Sequence, residues 1–204
     1  MSKQKLTHKE RLRQMIEEAE ADPIISAELI AVQECIKKPK PQAVPALLKL
    51  LKPSLHQSTK WFITMVLEAI KDDRIIRPML KAAKAPENAT CRSFFLWPLT
   101  TYDCTKHLAF FADFIVSLHE PNEAMMVAIM IVRAMKGPFE PSVARSSIRK
   151  LLMEIKTPMP AEWKLETEAY RLEAADFIMA KYFNHTAKTF WKPRNGSVPI
   201  SKTA

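Results

Sequence analysis

The sequence contains very little glycine: Gly137 and Gly196 are the only two among 204 residues. Phosphate-binding loops and dinucleotide folds need several glycines where the backbone approaches a ligand, so neither motif can be assembled here. Sheets joined by tight hairpins also depend on glycine turns. The shortage argues against a β-rich fold, and it leaves the 15 prolines as the main boundaries between elements.

Cysteine is also scarce. Cys35, Cys91 and Cys104 are an odd number without a Cys-x-x-Cys spacing, which predicts reduced thiols in a cytoplasmic protein. No stretch reaches the roughly 18 uninterrupted apolar residues of a membrane span. Residues 1–20 are charged throughout and lack the apolar centre of a signal peptide. We therefore expect no disulfide framework and no association with a membrane.

The histidines do not form a recognisable chemical site. They are scattered along the chain, and none has the His-x-x-x-His or Glu-x-x-His spacing that places two metal ligands on one helix face. Cys104 and His107 lie one helical turn apart, as a nucleophile and its base could. Because Cys104 precedes an apolar helix, a buried thiol is the favoured interpretation. The sequence predicts a non-catalytic protein without metal or cofactor.

Charge is the one property present in excess, with a net value of +9. Residues 36–60 contain six lysines and no acid, and no acid follows Asp176. Such basic regions favour an acidic partner, which would be a protein surface or a nucleic acid. The alternative is that the charge serves solubility alone.

Hydrophobic spacing predicts helices throughout the chain. Thr7 and Glu10 form a capping box at the start of a helix over about residues 8–21, and a second helix is expected over 26–38. From residue 41 the pattern repeats. The short apolar helix beginning at Val44 has counterparts 31 and then a further 32 residues on, at Ile75 and His107. Longer apolar helices, 61–70, 92–99 and 125–135, lie between them. A proline-containing turn inside each pair completes a two-helix repeat.

These segments resemble HEAT repeats, whose units begin with a proline-led helix and carry a proline-acid turn before the second helix. Residues 43–51 and 86–92 are the most similar, and Arg92 stands where that family often has an arginine, with Lys60 in the equivalent place one unit earlier. The third unit departs from the pattern, with Met125 at that place. The resemblance implies an all-α, right-handed α-α superhelix of HEAT-like helix pairs. It says little about function, because such solenoids serve many roles.

Two finer resemblances concern function. The turns 87–90 and 102–105 are similar to those of bacterial HEAT-like proteins associated with immunity to toxins, although Asn88 and Asp103 also suit plain helix capping. Interleaved aromatic and basic residues resemble, in type alone, the groove of HEAT-like alkylpurine DNA glycosylases. No motif of those enzymes is matched residue by residue, so no catalytic residue is transferred.

The predicted organisation is one solenoid domain over residues 1–185. It consists of N-terminal helices (1–40), a repeat core (41–136) and C-terminal capping helices (137–185), the last two of which span 142–155 and 161–183. Residues 186–204 contain turn formers, few apolar residues and no periodicity, which indicates a flexible basic tail.

The candidate binding residues follow from this arrangement. In a HEAT-like array the second helices line one face, so Lys60, Arg92 and Arg133 would form a diagonal basic stripe along it. Trp61 and Trp97 would be apolar anchors beside the stripe. Asp113 lies on an aromatic helix and would face the groove or the solvent. We therefore expect a scaffold that binds an acidic protein partner. The alternative is a nucleic-acid-binding HEAT-like protein, which would include an enzyme similar to a DNA glycosylase. A structural cross-link from Arg92 to Glu87 or Asp103 is the competing account of that arginine.

Overall fold

The computed structural model describes residues 41–52, 55 and 57–190, which form α-helices and 3-10 helices without a β-strand. The predicted all-α class is thus confirmed for this part of the chain. The helices predicted at 8–21 and 26–38 lie outside the described residues, as do residues 191–204. The eight α-helices are α1 (Val44–Leu50), α2 (Gln57–Ile70), α3 (Ile76–Lys84), α4 (Arg92–Leu96), α5 (Leu108–Ser117), α6 (Glu123–Ala134), α7 (Pro141–Leu151) and α8 (Ala161–Phe190).

The helices pack in consecutive pairs. Each odd-numbered helix contacts the even-numbered helix that follows it, so α1 packs on α2, α3 on α4, α5 on α6 and α7 on α8. The even-numbered helices also contact one another in sequence, from α2 through α4 and α6 to α8, and α5 packs along α7. The even-numbered helices therefore form a continuous layer, which places the predicted second helices side by side.

The second helix of the second pair is shorter than predicted. The sequence indicated one helix over 92–99, whereas α4 ends at Leu96 and a 3-10 helix, Trp97–Thr101, continues from it. Pro98 explains the change, because proline lacks a backbone N–H and its ring clashes with the preceding turn of an α-helix. This change in helix type sets the position of Trp97 next to α6.

Two predicted boundaries in the C-terminal part are wrong by several residues. The helix predicted over 142–155 is α7, which ends at Leu151. Helix α8 continues to Phe190, seven residues past the predicted end at 183. Residues 161–190 contain neither glycine nor proline, and Pro193 is the first helix breaker, so nothing local ends the helix earlier. Residues 186–190 therefore belong to α8 and not to a tail.

A single cluster of buried apolar side chains extends from Val44 in α1 to Ile178 in α8. Its fully buried members include Phe95 and Phe111 from the middle of the array. Burying such side chains is worth about 1.5–3 kcal/mol each, so this continuous core is the main force that holds the pairs together. Within the described ranges, no helix is both long enough and apolar enough to cross a lipid bilayer.

A carboxylate opens the turn before each of α3, α5 and α7. Asp72, Asp103 and Glu140 stand 31 and then 37 residues apart, and each accepts a hydrogen bond from the backbone N–H two residues later, at 2.9, 3.1 and 3.1 Å. The pKa of each carboxyl is lowered, chiefly by a hydrogen bond from a neighbouring side chain: that of Arg74, Thr105 or Ser142 respectively. Asp72 and Glu140 are the N-caps of the helices that follow them, whereas Asp103 precedes the Cys104 that occupies this position.

Candidate binding surface

Lys60 does not lie on the surface where the sequence analysis placed it. Its side chain is only 4% exposed, and its Nζ donates a 3.1 Å hydrogen bond to Oδ1 of Asn88 in the next pair. The Nδ2 of Asn88 in turn donates to the carbonyl of Ala82, at 3.0 Å. Lys60 therefore links the first two helix pairs through a buried hydrogen bond. A buried charged group needs such a polar partner, because water cannot solvate it.

Arg92 begins α4 and is half-buried. Its Nε is buried and has no hydrogen-bond partner among the described residues. The ion pairs found in the described ranges do not include one from Arg92 to Glu87 or Asp103. The predicted cross-link from this arginine is therefore not seen, and the equivalent role falls to Lys60.

Trp61 and Trp97 are both half-buried, each with a partner in a neighbouring helix. The Trp61 ring lies against Phe94 of α4, with 5.5 Å between the centroids. The Nε1 of Trp97 donates to Oε1 of Glu123 at the start of α6, at 2.9 Å. Trp61 thus bridges α2 to α4, and Trp97 bridges the 3-10 helix after α4 to α6, while part of each ring stays accessible.

The accessible side of α6 carries a continuous row of four side chains. Glu123, Met126, Met130 and Arg133 are separated by three, four and three residues, so they lie on one face of the helix. All four are exposed, and the two methionines are each 40% exposed. We call this row the α6 stripe. Because Trp97 is hydrogen-bonded to Glu123, its indole lies beside the first residue of the α6 stripe.

Arg133, at the far end of the α6 stripe, is held by α8. The centre of its guanidinium lies 5.3 Å from the centroid of the Phe177 ring, within the range of a cation–π interaction. This contact orients the charged group without neutralising it. Among the six predicted binding residues, Arg133 and Trp97 are the two that the structure brings to the α6 stripe.

Asp113 is exposed, as the sequence analysis expected, but it is not free. Its Oδ1 accepts a 2.5 Å bond from Nζ of Lys150 in α7, and the two side chains are 53% and 42% exposed. The acid therefore ties α5 to α7 on the layer of odd-numbered helices. It does not share a surface with Trp97 and Arg133, which belong to the even-numbered layer.

The Cys104–His107 pair does not have the geometry of a nucleophile and its base. Cys104 is fully buried, and burial raises the pKa of its thiol to about 12. Its Sγ is directed to the carbonyl of Leu99, at 3.9 Å. Because the thiolate is the reactive form, this cysteine is inert at neutral pH.

Met126 and Met130 were not among the predicted binding residues. Residues 125–135 were predicted only as an apolar helix. The spacing of Glu123 and Arg133 indicates that the two methionines are exposed, because both charged residues fall on the same helix face as the methionines. Within the described ranges, no group of three His, Cys, Asp or Glu side chains is arranged to hold a metal ion.

Comparisons of this chain with protein-family models, with curated proteins and with solved structures return no match.

Proposed function

We propose that the protein is a non-catalytic, HEAT-like scaffold whose α6 stripe binds a protein partner carrying apolar and acidic side chains. The observation that carries this proposal is the exposed row Met126, Met130 and Arg133, bordered by Trp97. Methionine adapts its shape to a partner, and arginine and tryptophan supply much of the binding energy at protein interfaces. Arg133 sets the preference for an acidic group, since the guanidinium is oriented by Phe177 and forms no ion pair with an acid of the described residues.

The right-handed superhelix belongs to this proposal. Three features support it: helices that pack in consecutive pairs, a continuous layer of even-numbered helices, and a carboxylate that accepts a backbone hydrogen bond in the turn before each of α3, α5 and α7. In a HEAT-like array the second helices line the face that receives partners. The α6 stripe lies in that layer.

The position of Lys60 weakens the nucleic-acid alternative. Contact with phosphates requires exposed cations, and this lysine is buried against Asn88. Lys49 and Lys52 remain exposed in the first pair, but the one tryptophan of that pair, Trp61, is half-buried against Phe94. Exposed cations beside a fully exposed aromatic face are therefore not found among the described residues of the first pair.

The first experiment identifies the partner by crosslinking from the α6 stripe. A photo-crosslinking amino acid at Met126 should capture a partner from the native source, whereas the same group at Leu165, an apolar residue 72% exposed on α8, should not. The captured protein is then purified for affinity measurements. Capture from position 165 alone would move the site to α8 and contradict the proposal.

The second step measures affinity. Arg133→Glu should weaken binding of the captured partner at least tenfold, about 1.4 kcal/mol. Arg149→Glu makes the same charge change on the exposed side of α7 and should leave affinity within about twofold. The melting temperature of both variants should fall by no more than a few degrees. Equal losses of affinity would indicate a response to net charge and would refute a role for the stripe.

A further inference from the structure

A cleft of about 710 Å³ opens where α3 and α5 begin and where the chain turns after α6. It shares no residue with the α6 stripe. Its walls come from three separate parts of the chain, one before each of the last three odd-numbered helices. The lining residues are Asp73, Arg74, Ile76, Arg77, Asp103, Thr105, Lys106, His107, Gly137 and Pro138.

Two cationic side chains in this cleft have no bonding partner among the described residues. Arg77 and Lys106 are exposed, and neither forms a hydrogen bond or an ion pair with another described residue. Arg74 differs, because it is paired with Asp72 at 2.6 Å and also donates to the carbonyl of Pro41 at 2.7 Å. Arg77 and Lys106 thus retain their full capacity to bind an anion.

Both of these cations affect the pKa of the His107 imidazole. Burial lowers its pKa, and the positive charges of Arg77 and Lys106 lower it further. The two side chains come from different helical turns, yet their fields act on the same group. The imidazole therefore marks a place in the cleft where a negative charge would be stabilised.

The two acids of the cleft do not offset the effect of Arg77 and Lys106 on His107, whose pKa stays lowered. Asp103 is committed to Thr105, whose N–H and Oγ1 both donate to its Oδ1, at 3.1 and 2.5 Å. Asp73 lies in the 3-10 helix before α3. Because Arg74 is paired with Asp72, the lining and this ion-pair partner together hold three basic and three acidic side chains, and protonation of His107 gives a net charge of +1.

We propose that this cleft binds a small molecule bearing a phosphoryl group. Guanidinium groups match the geometry of phosphate oxygens, and an ammonium group adds a second charge from another wall. The volume lies within the range of about 300–1,000 Å³ that is typical of small-molecule sites. Recognition would come from side chains and not from a glycine-rich loop. A cleft with walls on three sides suits a compact phosphate ester better than an extended nucleic-acid strand.

The first experiment follows His107 by NMR during titration with pyrophosphate at constant ionic strength. A bound anion favours the imidazolium, so the pKa of His107 should rise by about one unit. His119 is exposed and lies outside the cleft, and it serves as the internal reference. A saturating shift at His107 with a flat response at His119 is the expected result. Equal shifts at both residues, or none, would overturn the proposal.

The second experiment compares two double variants with the same change in charge. Arg77→Ala with Lys106→Ala should weaken pyrophosphate binding at least tenfold, whereas Arg149→Ala with Lys156→Ala should change it by less than twofold. All four residues are exposed, so both proteins should fold. Similar losses in the two variants would show general attraction to a basic protein and would refute the site.

Further ligands distinguish the source of the phosphate. Adenosine monophosphate and ribose 5-phosphate should each compete with pyrophosphate, and the tighter competitor identifies whether a base contributes. A single-stranded oligonucleotide should compete less well at equal phosphate concentration. If it competed better, the cleft would be part of a nucleic-acid surface and the small-molecule assignment would be wrong.

Discussion

The first and last junctions between helix pairs are each bridged by a lysine, and the two bridges have opposite character. Where the pair α1/α2 meets α3/α4, Lys60 is buried and donates to the amide oxygen of Asn88 at 3.1 Å. Where α5/α6 meets α7/α8, Lys150 pairs with the carboxylate of Asp113 at 2.5 Å, with both side chains about half exposed. The longer bond, from Lys60, has a neutral amide as its acceptor and is hidden from water. The shorter bond, from Lys150, joins two charged groups that are exposed to solvent.

The difference shows that distance and formal charge are poor guides to the strength of a bridge. Water competes for both partners of the exposed pair, and ions screen their attraction, so such pairs contribute about 0–1 kcal/mol. Inside the protein, an acceptor that is removed cannot be replaced by water, and the lost bond to a charged donor costs about 1.5–3 kcal/mol. We expect the first junction to depend on its lysine bridge and the last one to rely on apolar packing.

The largest effect should come from breaking the buried bridge. Asn88→Ala removes the oxygen that accepts from Lys60 and should lower the free energy of unfolding by about 2–3 kcal/mol. Urea denaturation monitored by circular dichroism measures this change. Thr90→Ala is the matched control, because Thr90 lies in the same 3-10 helix and accepts an exposed bond from Gln57 across the same junction, at 3.1 Å. If both substitutions cost the same, burial does not distinguish the two bridges.

A smaller effect should come from acid, and it should act on both junctions alike. Asp72 and Glu140 have folded-state pKa values below their ordinary ones, because hydrogen bonds from Arg74 and Ser142 respectively favour the carboxylates. Their contribution is therefore present above the unfolded-state pKa and is lost as pH falls, between about pH 5 and 3. Melting temperatures of Asp72→Asn and Glu140→Gln should fall less steeply over this range than that of the parent protein. Parallel curves would contradict the assignment of these acids as caps.

The smallest effect should come from the exposed bridge. Asp113→Asn removes one charge of the pair and should change the free energy of unfolding by less than about 0.5 kcal/mol. Raising the salt concentration to about 1 M should leave the difference between variant and parent near zero, because screening already weakens the pair. A loss approaching that of Asn88→Ala would mean that the exposed bridge is as important as the buried one.

Much of the helical layout could be predicted from the sequence, for local reasons. The period near 31 residues placed α3, and the proline-containing turn predicted before the second helix of the third pair includes Asn122, which accepts a 3.1 Å hydrogen bond from the Met125 N–H of α6. These features depend on neighbours within one turn of helix, where sequence spacing and spatial proximity coincide.

The positions of the candidate site residues could not be predicted in the same way. Whether Lys60 is exposed depends on Asn88, 28 residues later, which reaches back across the junction to accept its proton. The extent of α4 depended on Pro98, whose effect on the helix type was not anticipated. Exposure is decided by contacts between pairs, and a helical pattern alone records only which face is apolar.

Because Cys104 is buried, the rate at which its thiol reacts measures local unfolding. A thiol that is fully covered, with a pKa of about 12, reacts with an alkylating reagent only when the segment around it opens. In a Cys35→Ser background, the rates of alkylation at Cys91 and Cys104 would report how often the turns flanking α4 open. The opening frequency of the middle of the array can thus be followed at cysteines that the protein already has.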